Sequence, residues 1–298
     1  MKATDAFGTV LTAMVTPFTR DGSAIDFDAA AQLANDLVDL GNNGLVVNGT
    51  TGESPTTDEH EKRALLECVI SAVGDRAKVI AGAGSNDTAH SVLLAKDAAQ
   101  VGAHGLLVVT PYYNKPPQAG VIAHMHAVAD ATDLPVMVYD IPGRTGIPIT
   151  SESLMTLAEH PRILANKDAK GDPWAASQVM AKSDMAYYSG DDGLNLALLA
   201  IGAVGVVSVT GHIVADRHKA MVQAVAANDL DTARTINQGL VPITEGLMTK
   251  AGGAIMVKAA LDLLGRVGGG TLRLPLVSAT PTQIDQLRAD LRAGGFTL

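Results

Sequence analysis

Residues Pro135–Lys167, PVMVYDIPGRTGIPITSESLMTLAEHPRILANK, contain the unit from which the fold can be predicted. The unit starts with the short apolar run Pro135–Tyr139 and ends with a second such run, Ile163–Lys167. Short apolar runs bounded by turn residues are typical of buried strands, and the longer segment between them has apolar residues at helical spacing. We therefore interpret the stretch as strand, helix, strand, with Tyr139 and Lys167 where the two strands end.

The same alternation of short and long segments runs along most of the chain. There are eight strand-like runs: Val10–Val15, Gly44–Asn48, Lys78–Ala81, Gly105–Val109, Pro135–Tyr139, Ile163–Lys167, Met185–Ser189 and Val204–Val209. Eight such units with right-handed crossovers predict an α/β protein built as a closed (β/α)8 TIM barrel. A doubly wound open sheet is the alternative, but Gly82-Ala83-Gly84-Ser85-Asn86-Asp87 has only the first two glycines of a Gly-x-Gly-x-x-Gly nucleotide turn.

The strand pattern stops after residue 228. Residues 229–249, 252–264 and 281–293 have helical patterns, and a loop with glycine and proline separates the last two. We expect a catalytic barrel over residues 1–228 and a C-terminal helical domain of three helices over residues 229–298, which packs on the side of the barrel.

Composition limits the classes of partner. The chain is 47% hydrophobic and has a formal net charge of -9 with dispersed Lys and Arg, which argues against a nucleic-acid or anionic membrane surface. Cys68 is the only cysteine, so the chain has no internal disulfide and suits a reducing compartment. We expect a cytoplasmic protein, because Met1–Asp5 does not begin a signal segment and no apolar run approaches the ~20 residues of a membrane span.

Lys167 and Tyr139 are the candidate reactive pair. In TIM barrels the functional residues lie at the carboxyl ends of the strands. An amine held there is partly desolvated, which lowers its pKa and lets it attack a ketone to form an imine. A phenol beside it can move the protons, although a lysine after a strand is more often exposed and the Tyr139 ring could simply cap the barrel core.

Two further loops contain candidate groups for binding carboxylates. Gly49-Thr50-Thr51-Gly52-Glu53 follows the second strand, and its backbone N–H groups and hydroxyls could bind an anion. The alternative for this loop is a helix N-cap with a first-turn glutamate. Arg144, which follows the fifth strand, suits bidentate carboxylate recognition unless it is an ordinary surface residue. Tyr112 and Tyr113 follow the fourth strand and place two phenols near the same face.

Metal chemistry is not expected. The eight histidines are scattered, and His124 and His126 point to different sides of a predicted helix. No His-Glu-x-x-His motif or carboxylate–histidine cluster is present. We expect neither a metal nor a cofactor.

The combination of motifs resembles the pyruvate-dependent Schiff-base aldolase and lyase family. Gly44–Glu53 and the pair Tyr139 and Lys167 match the two signatures of that family, and the likeness extends from Thr9–Pro17 to Leu272–Pro275. The resemblance implies that Lys167 forms an imine with pyruvate. It also implies a proton relay and a set of groups that bind the two substrates. The relay would be Tyr139, Thr50 and Tyr113, with Tyr113 reaching into a neighbouring subunit.

The implied substrate-binding groups divide by substrate. Thr51 would hold the pyruvate carboxylate, Arg144 would bind the carboxylate of L-aspartate 4-semialdehyde, and Gly190 and Val207 would line the site through backbone groups. Within the family, the resemblance points to the members that condense these two substrates in the diaminopimelate and lysine pathway. Such members are commonly homotetramers built as a dimer of dimers.

Two other functions stay open at this point. A sibling aldolase of the N-acetylneuraminate lyase or 2-keto-3-deoxy-sugar-acid type would share the lysine, the tyrosine and the threonine loop, and Arg144 discriminates against it. A non-catalytic barrel that binds a keto acid would have lost Lys167 or Tyr139, and both are present. Fold alone would not separate these functions.

The resemblance also implies an effector site for L-lysine at a subunit interface. The counterparts of its residues here are Ser54, Pro55, His60, Asn86, His90 and Tyr112. His90 stands where a carboxylate would normally hold the ammonium group of the effector, and an imidazole cannot replace that charge. We therefore expect weak or no inhibition by L-lysine.

Overall fold

The eight predicted strands close into one parallel barrel. The computed structural model describes residues 1–298, and its strands are β1 Val10–Ala13, β2 Gly44–Val47, β3 Lys78–Gly82, β4 Gly105–Val109, β5 Val136–Asp140, β6 Ile163–Asp168, β7 Ala186–Ser189 and β8 Gly205–Ser208. Each strand pairs with the next, and β8 pairs with β1. The predicted TIM barrel is confirmed, and the open-sheet alternative is wrong.

Helices lie between successive strands and cover the barrel, one short helix precedes β1, and four helices follow β8. They are α1 Ala3–Phe7, α2 Phe27–Asp39, α3 Glu59–Val73, α4 Thr88–Gln100, α5 Gln118–Asp130, α6 Pro142–Thr145, α7 Ser151–Ala158, α8 Pro173–Met180, α9 Asn195–Ala200, α10 Gly211–Ala226, α11 Leu230–Met248, α12 Gly253–Leu263 and α13 Pro281–Ala293. The last three are the helices predicted after residue 228. None of the helices is both long and apolar enough to cross a membrane.

Capping side chains fix where several helices begin. Asp58 accepts a hydrogen bond from the Glu61 N–H, and the Glu61 side chain accepts one from the Asp58 N–H, which makes a capping box at the start of α3. Thr280 and Gln283 form the same motif at the start of α13. These bonds satisfy N–H groups that have no partner inside a helix, so both helices begin at defined residues.

The barrel has two apolar cores because successive strand residues point to opposite faces. The inner core fills the barrel and includes Leu11, Met137, Tyr139 and Val207. The outer core lies between the strands and the helices, and the C-terminal helices contribute to it. Both faces of the sheet are therefore buried, which explains why the strands are near-continuous apolar runs.

The short helix α1 was not anticipated from the sequence. It brings Phe7 into the inner core, where the ring packs edge-on against Tyr188 at 6.3 Å between centroids. The Tyr188 hydroxyl donates a hydrogen bond of 2.8 Å to the Gly8 carbonyl. These contacts fill the end of the barrel at which the strands begin, and the opposite end remains for the site.

Strands β5 and β6 are each one residue longer at their carboxyl ends than the sequence predicts. Tyr139 pairs with Lys167, and Asp140 pairs with Asp168. The aromatic and basic pair therefore faces the barrel interior, while the two aspartates point the other way, into the helix layer. Both aspartates are buried there, and Lys170 Nζ lies 3.0 Å from Asp140 Oδ2.

Candidate active site

Lys167 and Tyr139 lie together at the carboxyl end of the barrel. The Lys167 Nζ atom is 4.1 Å from the centroid of the Tyr139 ring. Only 4% of Lys167 and 6% of Tyr139 is exposed. Lys167 is thus not the exposed surface residue that its type alone would suggest.

The environment of Lys167 favours its uncharged form. Burial lowers the pKa of its amine from 10.5 to about 7, the Asp192 carboxylate opposes that change, and the Arg144 guanidinium adds to it. A sizeable fraction of the amine therefore has a free lone pair near neutral pH. This is the state that a nucleophile for a ketone requires.

The Tyr139 phenol remains protonated across the same pH range. Burial raises its pKa to about 12, with Asp191 acting in the same direction and Arg144 in the opposite one. The hydroxyl can therefore donate a proton to a group on a substrate and take it back, which is the requirement for a shuttle.

Gly190 makes room for the Lys167 side chain. A Cβ atom at this position would lie 2.8 Å from Lys167 Cγ and 2.9 Å from Lys167 Cε. Any other residue would therefore displace the amine. Val207, the second predicted lining residue, lies buried on β8 in the inner core to which Tyr139 also belongs.

Asp192 is a buried charge of the site that the sequence did not reveal. Burial would raise the pKa of its carboxyl group, but the nearby His218 and several hydrogen bonds lower it below the ordinary value. The donors are Ser208 Oγ at 2.5 Å, Asn195 Nδ2 at 3.0 Å, and the N–H groups of Val209 and Thr210 at 2.8 Å each. The two consecutive aspartates, Asp191 and Asp192, follow Gly190 just after β7, and they were the signal that could have identified it.

The turn after β2 presents four free hydrogen-bond donors. The N–H groups of Thr50 and Thr51 donate to no acceptor in the chain, and neither hydroxyl makes a hydrogen bond. Gly52 N–H donates to Gly49 O and Glu53 N–H to Thr50 O, both at 3.1 Å, so the turn itself is ordered. The alternative of a helix N-cap with a first-turn glutamate is wrong, because residues 50–53 form a turn and Glu53 lies before the first residue of a single 3₁₀ turn, Ser54–Thr56, where its side chain makes no capping hydrogen bond.

Arg144 and Tyr113 lie on the exposed rim of the site. Arg144 belongs to α6, is exposed and forms no ion pair, and it is close enough to lower the pKa of both Lys167 and Tyr139. Tyr113 is 88% exposed and has a left-handed backbone with φ of 72°. Its hydroxyl makes no hydrogen bond to Tyr139 or Thr50 within one chain.

The Gly82–Asp87 segment has a packing role. A Cβ atom on Gly82 would lie 2.3 Å from Asn48 O, and one on Gly84 would lie 2.4 Å from Val109 N. Neighbouring strand ends approach closely at these positions, so only glycine fits. The two glycines are explained without a nucleotide.

Comparison with known proteins places the chain in a family. A family model described as the dihydrodipicolinate synthetase family matches residues 6–294. A protein from Kineococcus radiotolerans named 4-hydroxy-tetrahydrodipicolinate synthase is 58% identical over 97% of this chain and 94% of its own length.

Two solved structures have the same architecture. The dihydrodipicolinate synthase of Cyanidioschyzon merolae with lysine bound has a TM-score of 0.94 at 42% identity and covers 97% of this chain and 99% of its own. The chloride-inhibited enzyme of Acinetobacter baumannii complexed with pyruvate has a TM-score of 0.92 at 35% identity and covers 96% and 98%. The chain belongs to the dihydrodipicolinate synthetase family.

Proposed function

We propose that this chain is a 4-hydroxy-tetrahydrodipicolinate synthase, which condenses pyruvate with L-aspartate 4-semialdehyde. The observation that supports this most is the buried Lys167 amine, with its pKa near 7, beside the Tyr139 phenol. The similar protein from Kineococcus radiotolerans has this name, and the similar structure from Acinetobacter baumannii contains pyruvate.

The first half of the reaction forms an imine. The lone pair of Lys167 Nζ attacks C2 of pyruvate, the nitrogen then loses a proton, and the former carbonyl oxygen takes one up to give a carbinolamine. A second proton transfer to that hydroxyl lets it leave as water, and the iminium remains on the lysine. Tyr139 and Thr50 move these protons, together with Tyr113 from a neighbouring subunit.

The second half forms the carbon–carbon bond and releases the product. Loss of a proton from C3 converts the iminium to an enamine, and C3 attacks the aldehyde carbon of the semialdehyde, whose oxygen takes up a proton. The amino group of the semialdehyde then adds to the imine carbon and displaces the Lys167 amine, which closes the ring and regenerates the enzyme.

Separate groups bind the two carboxylates. Thr51 and the free N–H groups of the turn hold the pyruvate carboxylate, because unpaired backbone donors bind anions well. Arg144 binds the carboxylate of the semialdehyde, for which its exposed guanidinium without an ion pair is suited. Backbone groups of Gly190 and Val207 line the site between them.

The wider biological setting is part of the proposal. The reaction belongs to diaminopimelate and lysine biosynthesis in the cytoplasm, and the assembly is a homotetramer built as a dimer of dimers. The 88% exposure of Tyr113 supports a role in a neighbouring subunit. Residues 1–228 form the catalytic barrel and residues 229–298 the C-terminal helical domain.

Substrate competition tests the proposal. Purified protein with pyruvate should consume L-aspartate 4-semialdehyde at a kcat/KM at least tenfold above that for N-acetylmannosamine or a sugar-derived aldehyde. A preference for either competing aldehyde would instead identify the protein as a sibling aldolase. No turnover with any aldehyde, together with no pyruvate adduct, would support the non-catalytic barrel.

A further inference from the structure

An ion pair whose two side chains are both buried connects the C-terminal helices to the turn after β2. Lys258, on α12, donates a hydrogen bond of 2.6 Å from Nζ to Glu53 Oε1. The Lys258 side chain is 1% exposed and the Glu53 side chain 0%. Charged side chains are rarely buried so fully unless they are paired, so both depend on this contact.

The remaining bonds of the pair also come from the end of the chain. The second oxygen of Glu53 accepts a hydrogen bond of 2.9 Å from the Arg273 N–H. The Lys258 amine donates a further bond of 2.7 Å to the Thr271 carbonyl and lies 4.5 Å from the centre of the Phe18 ring. Every hydrogen-bond partner of the Glu53 carboxylate therefore lies beyond residue 250.

Glu53 is also the last residue of the turn that presents Thr50 and Thr51. Its φ is 56°, a left-handed conformation that a residue with a side chain adopts only at some cost in energy. Its N–H donates to the Thr50 carbonyl, so its position sets that of the threonines. Thr16 Oγ1 on the barrel side also donates a hydrogen bond of 2.6 Å to the Gly52 carbonyl, and the Ser54 N–H donates one of 3.3 Å to the Gly49 carbonyl.

We propose that the Glu53–Lys258 pair is a positioning device, through which the C-terminal helices hold the Thr50–Thr51 turn in the geometry that binds the pyruvate carboxylate. This rests on the proposed function of that turn. Lys167 is on β6 and makes no contact with the pair, so its reactivity is independent of it. Loss of the pair should therefore weaken pyruvate binding, while the ability of the Lys167 amine to form an imine changes little.

The test is the pyruvate dependence of borohydride trapping, which needs no aldehyde. In Lys258→Met the carboxylate loses its cation, and the pyruvate concentration for half-maximal trapping should rise at least tenfold. The amount of adduct on Lys167 at saturating pyruvate should not change. Glu53→Gln should raise that concentration by a smaller factor, because the amide retains an acceptor for the Arg273 N–H.

A double variant separates positioning from damage to the fold. Glu53→Gln with Lys258→Met leaves no charge buried without a partner, so it should recover part of the affinity lost in Lys258→Met alone. Lys250→Met is the matched control, since Lys250 is exposed in the loop before α12, and it should stay within twofold of the wild type.

The possible outcomes are distinguishable. A folded Lys258→Met or Glu53→Gln with an unchanged half-saturating pyruvate concentration would overturn the inference and leave the proposed function intact. If Lys258→Met does not fold, Glu53→Gln and the double variant decide in the same way. Absence of an adduct on Lys167 in the wild type would overturn the proposed function itself.

Discussion

Replacement of Lys167 by methionine should stabilise the folded protein while abolishing its reactivity. The pKa of the amine is 10.5 in the unfolded chain and about 7 in the folded one, so the folded state disfavours the proton. Below pH 7 both states hold the proton, and the folded state then contains a buried cation. The cost of that burial is present in full below pH 7 and disappears as the pH rises from about 7 to about 10.5.

The magnitude follows from the two pKa values. At about 1.4 kcal/mol per pKa unit, a change from 10.5 to about 7 corresponds to about 4–5 kcal/mol. Methionine also removes the favourable interaction between the Lys167 ammonium and the Asp192 carboxylate, which reduces the gain. We expect Lys167→Met to raise the free energy of unfolding by about 2–4 kcal/mol at pH 6 and by less than about 1 kcal/mol at pH 10.5.

Urea denaturation at the two pH values measures this difference. Protein concentration must be equal in all samples, because association of subunits adds to the apparent stability. Lys170→Met is the matched control: Lys170 pairs with the buried Asp140 at 3.0 Å, so its loss should destabilise the protein. The reasoning would be refuted by a Lys167→Met protein that is less stable than the wild type at pH 6. It would also be refuted if the free energy of unfolding differed from that of the wild type by the same amount at both pH values.

Three further predictions concern the substrates and the effector. Tyr139→Phe should lower kcat by ~10²–10⁴-fold with little change in the pyruvate KM, and a change in KM alone would make the phenol a binding group. Arg144→Ala should lower kcat/KM for the semialdehyde at least thirtyfold, or about 2 kcal/mol, while borohydride trapping of pyruvate persists; equal loss of both would indicate a structural arginine. L-lysine should inhibit half-maximally only above ~1 mM at saturating pyruvate, since His90 stands where a carboxylate is expected and its Nε2 is 3.3 Å from Glu59 Oε1. Stronger inhibition would show that Glu59 substitutes for that carboxylate.

The barrel and the proximity of Tyr139 to Lys167 could be predicted because both depend on local pattern. Each strand is a short apolar run, and a polar residue that follows such a run must lie at the carboxyl end of the barrel. Neighbouring strands in the sequence are neighbours in space, so Tyr139 and Lys167 had to be adjacent. The family resemblance supplied the roles of these residues.

The contacts that escaped prediction join distant parts of the chain. Glu53 and Lys258 are 205 residues apart, and nothing in either local pattern indicates that they pair. Asp192 follows β7, and the N–H groups that stabilise its charge belong to Val209 and Thr210, which follow β8. Such pairings depend on how helices and strands pack together, and the spacing of apolar residues along the sequence does not specify that packing.

Covalent trapping of pyruvate tests the proposed chemistry at its first step. Purified protein treated with pyruvate and sodium borohydride should gain one reduced pyruvyl group per chain, located by peptide mass spectrometry on Lys167, and Lys167→Met should gain none. Trapping should decline below about pH 7, where the amine is protonated. An adduct on another lysine, or no adduct in the wild type, would contradict the assignment of Lys167 as the Schiff-base residue.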